Sequence, residues 1–537
     1  MSQSRWARTD TEKRVLDLLH IKFLLDGGTD SFTESFHLPP RSDRIRGFFY
    51  HMQSEWEPGA GSVDLQSAQD NSTNIEPTLT GSGFDYFNSF FQKGISSFAS
   101  TDISSIDFQG VEQGPFVKEI IQDSPISSKM IVAIIDHVSK LDLDASAKQT
   151  VLSDLHFLLT PARVRNFISL YFRHWHQNYQ MIHLPSFSMD AAPIPLLTAM
   201  VFMGALYSGN ETESTVARRL LDFAELFVFS TKTFTYQHTV GQDLFPDTVA
   251  NNLWHDPWQL ENFQAAIILI IAQYWAGSRS SSTRAVEVRF NDIILVARRI
   301  GLTHCRHSPE DVIHESLWIQ KETQIRIINV VLLLDCAFVF FQNYPCRFSI
   351  SELVFDLPCN DSFYHAQHPF AQQNFCFSRA ATVFDAFQVL LASKSSVKGS
   401  TIISSDTNDG KRFKVSVSVL DMFILIHVLH SFLNSCITTF LPAMAKVNKP
   451  SSTPSPLAAI ASALDLWHQL WVGLQAEIAS QEWKMMGFYK NGYNYWLVAQ
   501  LLVEKEKKSV DIITKMEGLC LDRLERLNLL LLEDNNE

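Results

Sequence analysis

Cysteine is scarce in this chain and arrives late. Seven are spread over 537 residues, at 305, 336, 346, 359, 376, 436 and 520, and none precedes Cys305. A structural zinc finger needs four Cys or His ligands at short spacing, so the first 300 or so residues are expected to hold no finger with Cys ligands. The odd count and wide spacing do not describe a disulfide framework, and several of the thiols fall in apolar helical runs where Cys behaves as a small hydrophobe. Clustered basic charge is missing too. The net charge is −13, and the nearest approaches to a basic patch, Arg5, Arg8, Lys13 and Arg14, or Lys505, Lys507 and Lys508, are interrupted by Asp10, Glu12, Glu504 and Glu506. Affinity for a phosphate backbone comes from clustered Lys and Arg, so the chain as a whole is not expected to bind nucleic acid electrostatically.

The N-terminus lacks the apolar core of a signal peptide. The sequon Asn71-Ser72-Thr73 is therefore not expected to meet the glycosylation machinery, and a reducing cytosolic or nuclear compartment fits best. The most hydrophobic runs, 265–271 and 327–341, are too short or carry Asp335, and read as buried core helices with no membrane role. Catalytic signatures are also wanting. Gly410-Lys411 lacks the upstream Gly of a phosphate loop, and there is no Gly-x-Ser-x-Gly elbow or dinucleotide fingerprint. His314-Glu315 opens like a zinc-protease helix, but the second His position holds Trp318. Glu310-Asp311 with Glu315 is a poor substitute for the paired-Asp motif of prenyl-diphosphate enzymes. His174, His176 and His183 have no carboxylate or thiol at ligand spacing, so no metal or cofactor is expected.

What is present is a globular, helical chain, 46% hydrophobic and 19% charged. Residues 1–50 read as a short helix near 11–25, stopped by Gly27-Gly28, then an extended stretch. Residues 51–130 carry eleven acids against three lysines and nine punctuating aromatics from Trp56 to Phe116. That composition suits a disordered activation segment, or a linker whose aromatics pack on the globular part. Helical periodicity then runs through 131–395, a Ser- and Thr-rich loop is expected at 396–412, and 413–537 supplies further helices. Helices are predicted at 195–208, 215–229, 259–275, 284–300, 316–341, 374–392, 416–440, 456–480, 489–504 and 510–532, the last either capping the array or pairing with another chain. Strand-like alternation is scarce. The fold class is all-α: a large array of packed antiparallel helices with a partly disordered N-terminal region.

The stretch 318–364 holds the most information. Trp318, Glu322 and Arg326 recur at four-residue spacing on one helical face, with Glu before Arg in the favourable order for an ion pair. Asp335 follows in a helix so apolar that its carboxylate must find a partner or lose its charge. Arg298, Arg299 and Arg326 are the candidate partners, and the pair is expected to fix how two helices cross. A Pro345 turn and then Leu357-Pro358 complete the stretch.

This pattern resembles the regulatory domain (middle homology region) of fungal-specific transcription factors. Further blocks match in order: His183 with Pro185 and Phe187, a helix with Gly204, Gln264 through Trp275, and Arg299 with Gly301. Residues 23–40 are similar to a stretch found shortly after paired two-Cys two-His fingers in one subgroup. The resemblance implies an all-helical regulator of RNA polymerase II genes, located in the nucleus with cytoplasm as a second site. Its partners would be the transcription machinery or finger-bearing relatives, with a small-molecule effector and homodimerisation as further options. Zinc and DNA contact would belong to a finger module that this chain does not carry, so DNA would be reached only indirectly. Lost fingers, a gene prediction truncated at its 5′ end, and a cofactor or antagonist of relatives are the three explanations. A helical scaffold and a helical small-molecule enzyme are the alternatives outside transcription.

Overall fold

The computed structural model describes residues 125–508 apart from 179, 236–257, 343, 393–394, 399, 405–412 and 441–455. The expected N-terminal helix, the post-finger stretch, almost all of the acidic segment and the helix at 510–532 lie outside the described residues, which all fall in one contact unit. Among them, the helices of nine residues or more are α1 (Pro125–Ser139), α2 (Ala145–Leu158), α3 (Pro161–Leu170), α4 (Ile194–Leu206), α5 (Glu211–Phe229), α6 (Gln259–Ala276), α7 (Phe290–Arg299), α8 (Glu315–Gln342), α9 (Val383–Leu391), α10 (Val419–Ser435), α11 (Pro456–Glu477) and α12 (Gly492–Lys508). The chain is all-α in class.

Local chemistry sets the boundaries. Thr160 accepts from Arg163 N and Pro161 takes the first helical position, where its missing N–H costs nothing. Asn210 caps α5, which therefore starts at Glu211, four residues before its predicted start. Ser418 with Asp421 and Thr382 with Asp385 form capping boxes at α10 and α9. The helix predicted at 374–392 shrinks to α9 because Asn374 and Ala380 take positive φ, 61° and 50°, which no right-handed helix tolerates. The helix predicted at 284–300 divides: a turn begins at Ser278, a π-helical segment spans Ala285–Arg289, and α7 follows.

One prediction was wrong. Within the loop expected at 396–412, residues 399 and 405–412 lie outside the described residues, and Ser395–Lys398 and Thr401–Ser404 join Phe413–Ser416 in an antiparallel sheet in the order β1-β2-β3. Ile402 stands opposite Val397 on one side and Val415 on the other, and Ile402 and Val415 are buried. The abundant Ser and Thr concealed β-branched residues whose cross-strand pairing supplies the burial that sequence alternation only hinted at.

The core is built on helices that are apolar all round. In α4 every residue from Leu196 to Leu206 is buried, and in α6 every residue from Asn262 to Gln273. Such helices have no outward face and must be surrounded: α4 packs on α3, α5 and α6. α8 packs on α10, and α10 on α11 and α12, so the segment after the sheet closes directly over the middle of the chain. Length does not separate these helices from membrane spans, contrary to the sequence argument. α8 has 28 residues, about 42 Å at 1.5 Å per residue, and among the described residues three helices are long and apolar enough to cross a membrane. What distinguishes α8 is that 89% of its apolar window is already covered inside the protein.

Gly204 marks the closest helix crossing. A Cβ there would lie 1.8 Å from the backbone oxygen of Phe167 on α3, closer than any contact a real Cβ makes. Gly204→Ala should force α3 and α4 apart and cost on the order of 1–3 kcal/mol or more. A urea unfolding midpoint equal to the parent's would show that the crossing is looser than described.

Candidate functional site

α8 carries the site. Trp318, Glu322, Arg326, Val330 and Leu333 follow one another at three- and four-residue steps, with Asn329 three residues after Arg326, so they share one side of that helix, and all six are buried. Glu322 Oε1 accepts from Arg326 Nε at 2.8 Å and from the backbone N of Cys359 at 2.9 Å. Its Oε2 lies 3.0 Å from His307 Nε2, whose ring stacks on Trp318 with centroids 5.4 Å apart. Trp318 in turn donates from Nε1 to Phe377 O at 2.9 Å. Burial alone would push the Glu322 carboxyl up, but the donors of His307, Arg326 and Cys359 more than offset it and hold the group below its ordinary value.

The Arg326 guanidinium is engaged on every nitrogen. Beside Nε, Nη1 meets Gln180 Oε1 at 3.0 Å and Asp361 Oδ1 at 2.9 Å, and Nη2 donates to Cys359 O at 2.9 Å and to Cys359 Sγ at 3.8 Å. Glu322, Gln180 and Cys359 accept hydrogen bonds from the guanidinium, whereas the Asp361 contact is an ion pair without hydrogen-bond geometry. The plane sits 4.2 Å from the Tyr364 ring centroid, and Tyr364 shares a 2.8 Å hydrogen bond with Thr323 on α8. Burial works against the charge, yet Asp361, Cys359 and Glu322 hold it in place and raise the pKa well above its ordinary value. Arg326 therefore ties α8 to the Leu357-Pro358 segment and to the loop that follows the π-helical turn Tyr171–His176.

Asp335 forms a second and separate node, with a different partner from those expected. Arg298 is paired with Glu352 at 2.7 Å, Arg299 donates to Thr233 O, and Arg326 belongs to the first node. Asp335 is instead held by the chain that turns back beyond Pro345: Oδ2 accepts from the backbone N of Arg347 at 2.7 Å, the backbone N of Phe348 at 2.9 Å and Cys346 Sγ at 3.1 Å. The Arg347 guanidinium adds a 3.3 Å contact to Oδ1. Burial raises this carboxyl above its usual value, and these donors offset the rise only in part. The pair thus pins a turn to its own helix; it does not set a helix crossing.

The remaining signature residues fall into two groups. His183 joins the first node at its edge: Nε2 donates to Ala366 O at 3.2 Å, Nδ1 shares a 2.8 Å hydrogen bond with Ser186 Oγ, and the ring stands edge-on to Tyr364. Pro185 lies in the short helical turn after it, and Phe187 packs edge-on against Phe172. Leu357 N donates to Ala381 O at 3.1 Å, and Pro358 O accepts from Arg379 at 3.0 Å. Gly204, Gln264, Trp275, Arg299, Gly301 and Pro345 stand apart. Gln264 donates to Met181 O at 2.6 Å, Trp275 packs against Phe341, Gly301 takes φ 76° after α7, and Pro345 is exposed. Sequence reasoning missed His307, Asp361, Gln180 and Arg347, which hold the charges it had identified. Only Arg347, just past a Pro turn from a helix bearing an orphan acid, left a usable signal.

Beside Arg326, between α8 and α10, lies a cleft enclosing about 360 Å³ of space, part of it open to solvent. Its polar wall includes Arg326, Asn329, Asp361 and Tyr489, and its apolar wall includes Val330, Leu333, Leu420 and Ile424. Among the described residues, no three His, Cys, Asp or Glu side chains are placed to hold a metal ion, and every described cysteine is free.

Residues 168–469 match the family model of the fungal specific transcription factor domain. The transcription factor verF of Penicillium polonicum is 26% identical over 380 residues, 64% of this chain and 47% of that protein. The chain thus spans about half the length of the curated relative it matches. No solved structure matches it.

Removing one member of either node strands a buried charge. Arg326→Leu and Asp335→Ala should each cost about 3–5 kcal/mol, read as a lowered midpoint in urea; parental midpoints would mean that water reaches these groups. The buried histidines set a pH dependence. Burial depresses His176 from 6.5 to about 3 and His183 from 6.5 to about 4. A folded pKa below the unfolded one means that their contribution is complete above pH 6.5 and is lost progressively as pH falls toward those values. The melting temperature should decline below pH 6.5, before carboxylates begin to titrate at roughly 4.5. His183→Gln should flatten that decline, and a slope unaffected by the substitution would remove His183 from the linkage.

Proposed function

This chain belongs to the fungal specific transcription factor domain family, and from that premise we propose that it acts as the regulatory part of a transcription regulator of RNA polymerase II genes. It works in the nucleus through protein partners and reaches DNA indirectly. The observation that carries the reading is the family match over residues 168–469, from α3 to α11, which includes both charge nodes and the lining of the cleft except Tyr489. The net charge of −13 agrees with a role in which a different module grips the phosphate backbone.

The same geometry favours control over catalysis. Glu322 and Arg326 are buried and saturated by internal partners, so neither is poised to exchange protons or attack a substrate. Tyr489, at the cleft, donates to Asp361 at 3.3 Å, and burial keeps its phenol protonated well beyond its usual range. A general acid or base needs a pKa near the working pH, and burial moves this phenol the wrong way.

The test fuses the full chain to an unrelated DNA-binding domain upstream of a reporter in a fungal cell. Reporter output should change severalfold relative to the DNA-binding domain alone, in either direction, and the tagged chain alone should enrich in nuclei. Unchanged output from a folded, nuclear fusion would defeat the reading.

A further inference from the structure

The turn that Asp335 holds also brings two thiols together. Cys336 follows Asp335 on α8 and is buried, and Cys346 lies ten positions further on, just beyond Pro345. The chain folds back so that the Cys346 thiol donates to Asp335 Oδ2 at 3.1 Å and interacts directly with the thiol of Cys336. Main-chain bonds fix this approach: Tyr344 N donates to Phe338 O at 3.3 Å, and Arg347 N and Phe348 N donate to Asp335 Oδ2 at 2.7 and 2.9 Å. Both sulfurs are free thiols. A disulfide forms only where two Cys residues already face one another at short range, and the turn supplies that arrangement.

The two thiols differ in access. Cys336 is enclosed within α8 and Cys346 is partly exposed, so an oxidant in solution meets Cys346 first. The Cys336 thiol, burial and the Asp335 carboxylate together raise the pKa of Cys346 and keep it protonated. Because the thiolate is the nucleophile, this sulfur is quiet until its proton leaves. The base that can take the proton is already hydrogen-bonded to it, and burial makes the Asp335 carboxylate a stronger base than one at the surface.

We propose that Cys346, Cys336 and Asp335 form an oxidation site at which a hydroperoxide closes a Cys336–Cys346 disulfide. Asp335 Oδ2 takes the Cys346 proton along the existing bond as Sγ attacks a peroxide oxygen. The O–O bond breaks, one oxygen stays on sulfur as a sulfenic acid, and with hydrogen peroxide the other leaves with that proton as water. The Cys336 sulfur then attacks the Cys346 sulfur, the S–O bond breaks, and hydroxide departs with the Cys336 proton as a second water. Two thiols lose two electrons, and one peroxide gains them. A small thiol of the glutathione class reverses the bridge by exchange. Oxidation replaces a hydrogen-bonded contact between turn and helix with a covalent one and removes the Cys346 donor from Asp335. This goes beyond the regulatory reading, and its chemistry does not depend on it.

The full chain is reduced, freed of reductant, exposed to hydrogen peroxide, alkylated, and digested with trypsin for mass spectrometry. Residues 327–347 form one tryptic peptide that holds both thiols and no other cysteine. That peptide should appear two hydrogens lighter and resist alkylation, and dithiothreitol should restore it. Cys376, which is exposed and donates to Ser378 O at 3.2 Å, reports oxidation by exposure alone. In Cys336→Ala the bridge cannot close, and Cys346 should be trapped by dimedone as a sulfenic acid; in Cys346→Ala, Cys336 should stay reduced. Asp335→Asn keeps an oxygen for the main-chain donors but is a poor base, and should slow bridging by about tenfold or more. The parent's own peptide keeps the test decisive if a variant fails to fold. Unbridged Cys346 when Cys376 is already oxidised overturns the proposal, and so do a bridge from either residue to any other cysteine and an unchanged rate in a folded Asp335→Asn. The reporter measurement is independent: an active fusion without the bridge sinks the oxidation site and leaves the regulatory role standing, and a silent fusion of a chain that bridges does the reverse.

Discussion

The fold is organised around one buried guanidinium that gathers several stretches of chain. Arg326 meets Glu322 on its own helix, Cys359 and Asp361 on the segment that follows Leu357-Pro358, and Gln180 on the loop after the first π-helical turn. Beyond Glu322, four residues away, the contacts join chain separated by tens to more than a hundred residues, and the guanidinium itself is buried. Charge buried in this way adds little net stability compared with well-packed apolar groups. Its effect is on specificity, because any other arrangement of these strands of chain would leave a cation or an anion alone in a low-dielectric interior.

Much of this was legible in the sequence. The four-residue rhythm of Trp318, Glu322 and Arg326 exposed the face of α8 and the Glu–Arg pair, since helical geometry alone brings them together. The oddity of Asp335 was visible because a carboxylate in an apolar helix has few options. Its partner was not, because proximity in the fold depends on how the chain turns after Pro345, and three arginines elsewhere were equally plausible by charge. His307 and Asp361 were invisible for the same reason: one lies in a loop and the other opens the short helix Asp361–Tyr364, and both are made important by the path the backbone takes. The small sheet escaped because Ser and Thr diluted the alternation of Val397, Ile402 and Val415, and pairing, a non-local event, decides strand formation.

Among the described residues, π-helical segments at Tyr171–His176, Ala285–Arg289 and Cys436–Phe440 continue α3, the short helix Arg279–Arg284 and α10. The first delivers the chain to Gln180 and the cleft, and it buries Tyr171, Phe172, Trp175 and His176 within six residues. An inserted residue of this kind shifts the register of side chains around the helix axis. That shift lets an aromatic cluster and a polar loop follow one another without a break in backbone hydrogen bonding.

Asp335 takes two of its bonds from main-chain nitrogens, those of Arg347 and Phe348. A main-chain N–H is present whichever side chain follows it, proline excepted, so the acid's principal partners are written in the shape of the turn and not in its letters. The two halves of this contact are therefore unequal before mutation. The turn can change its residues and still be recognised, whereas the helix can change Asp335 only by giving up the loop it holds. Among relatives that share the turn, the acid should be the fixed character and the residues it grips the variable ones.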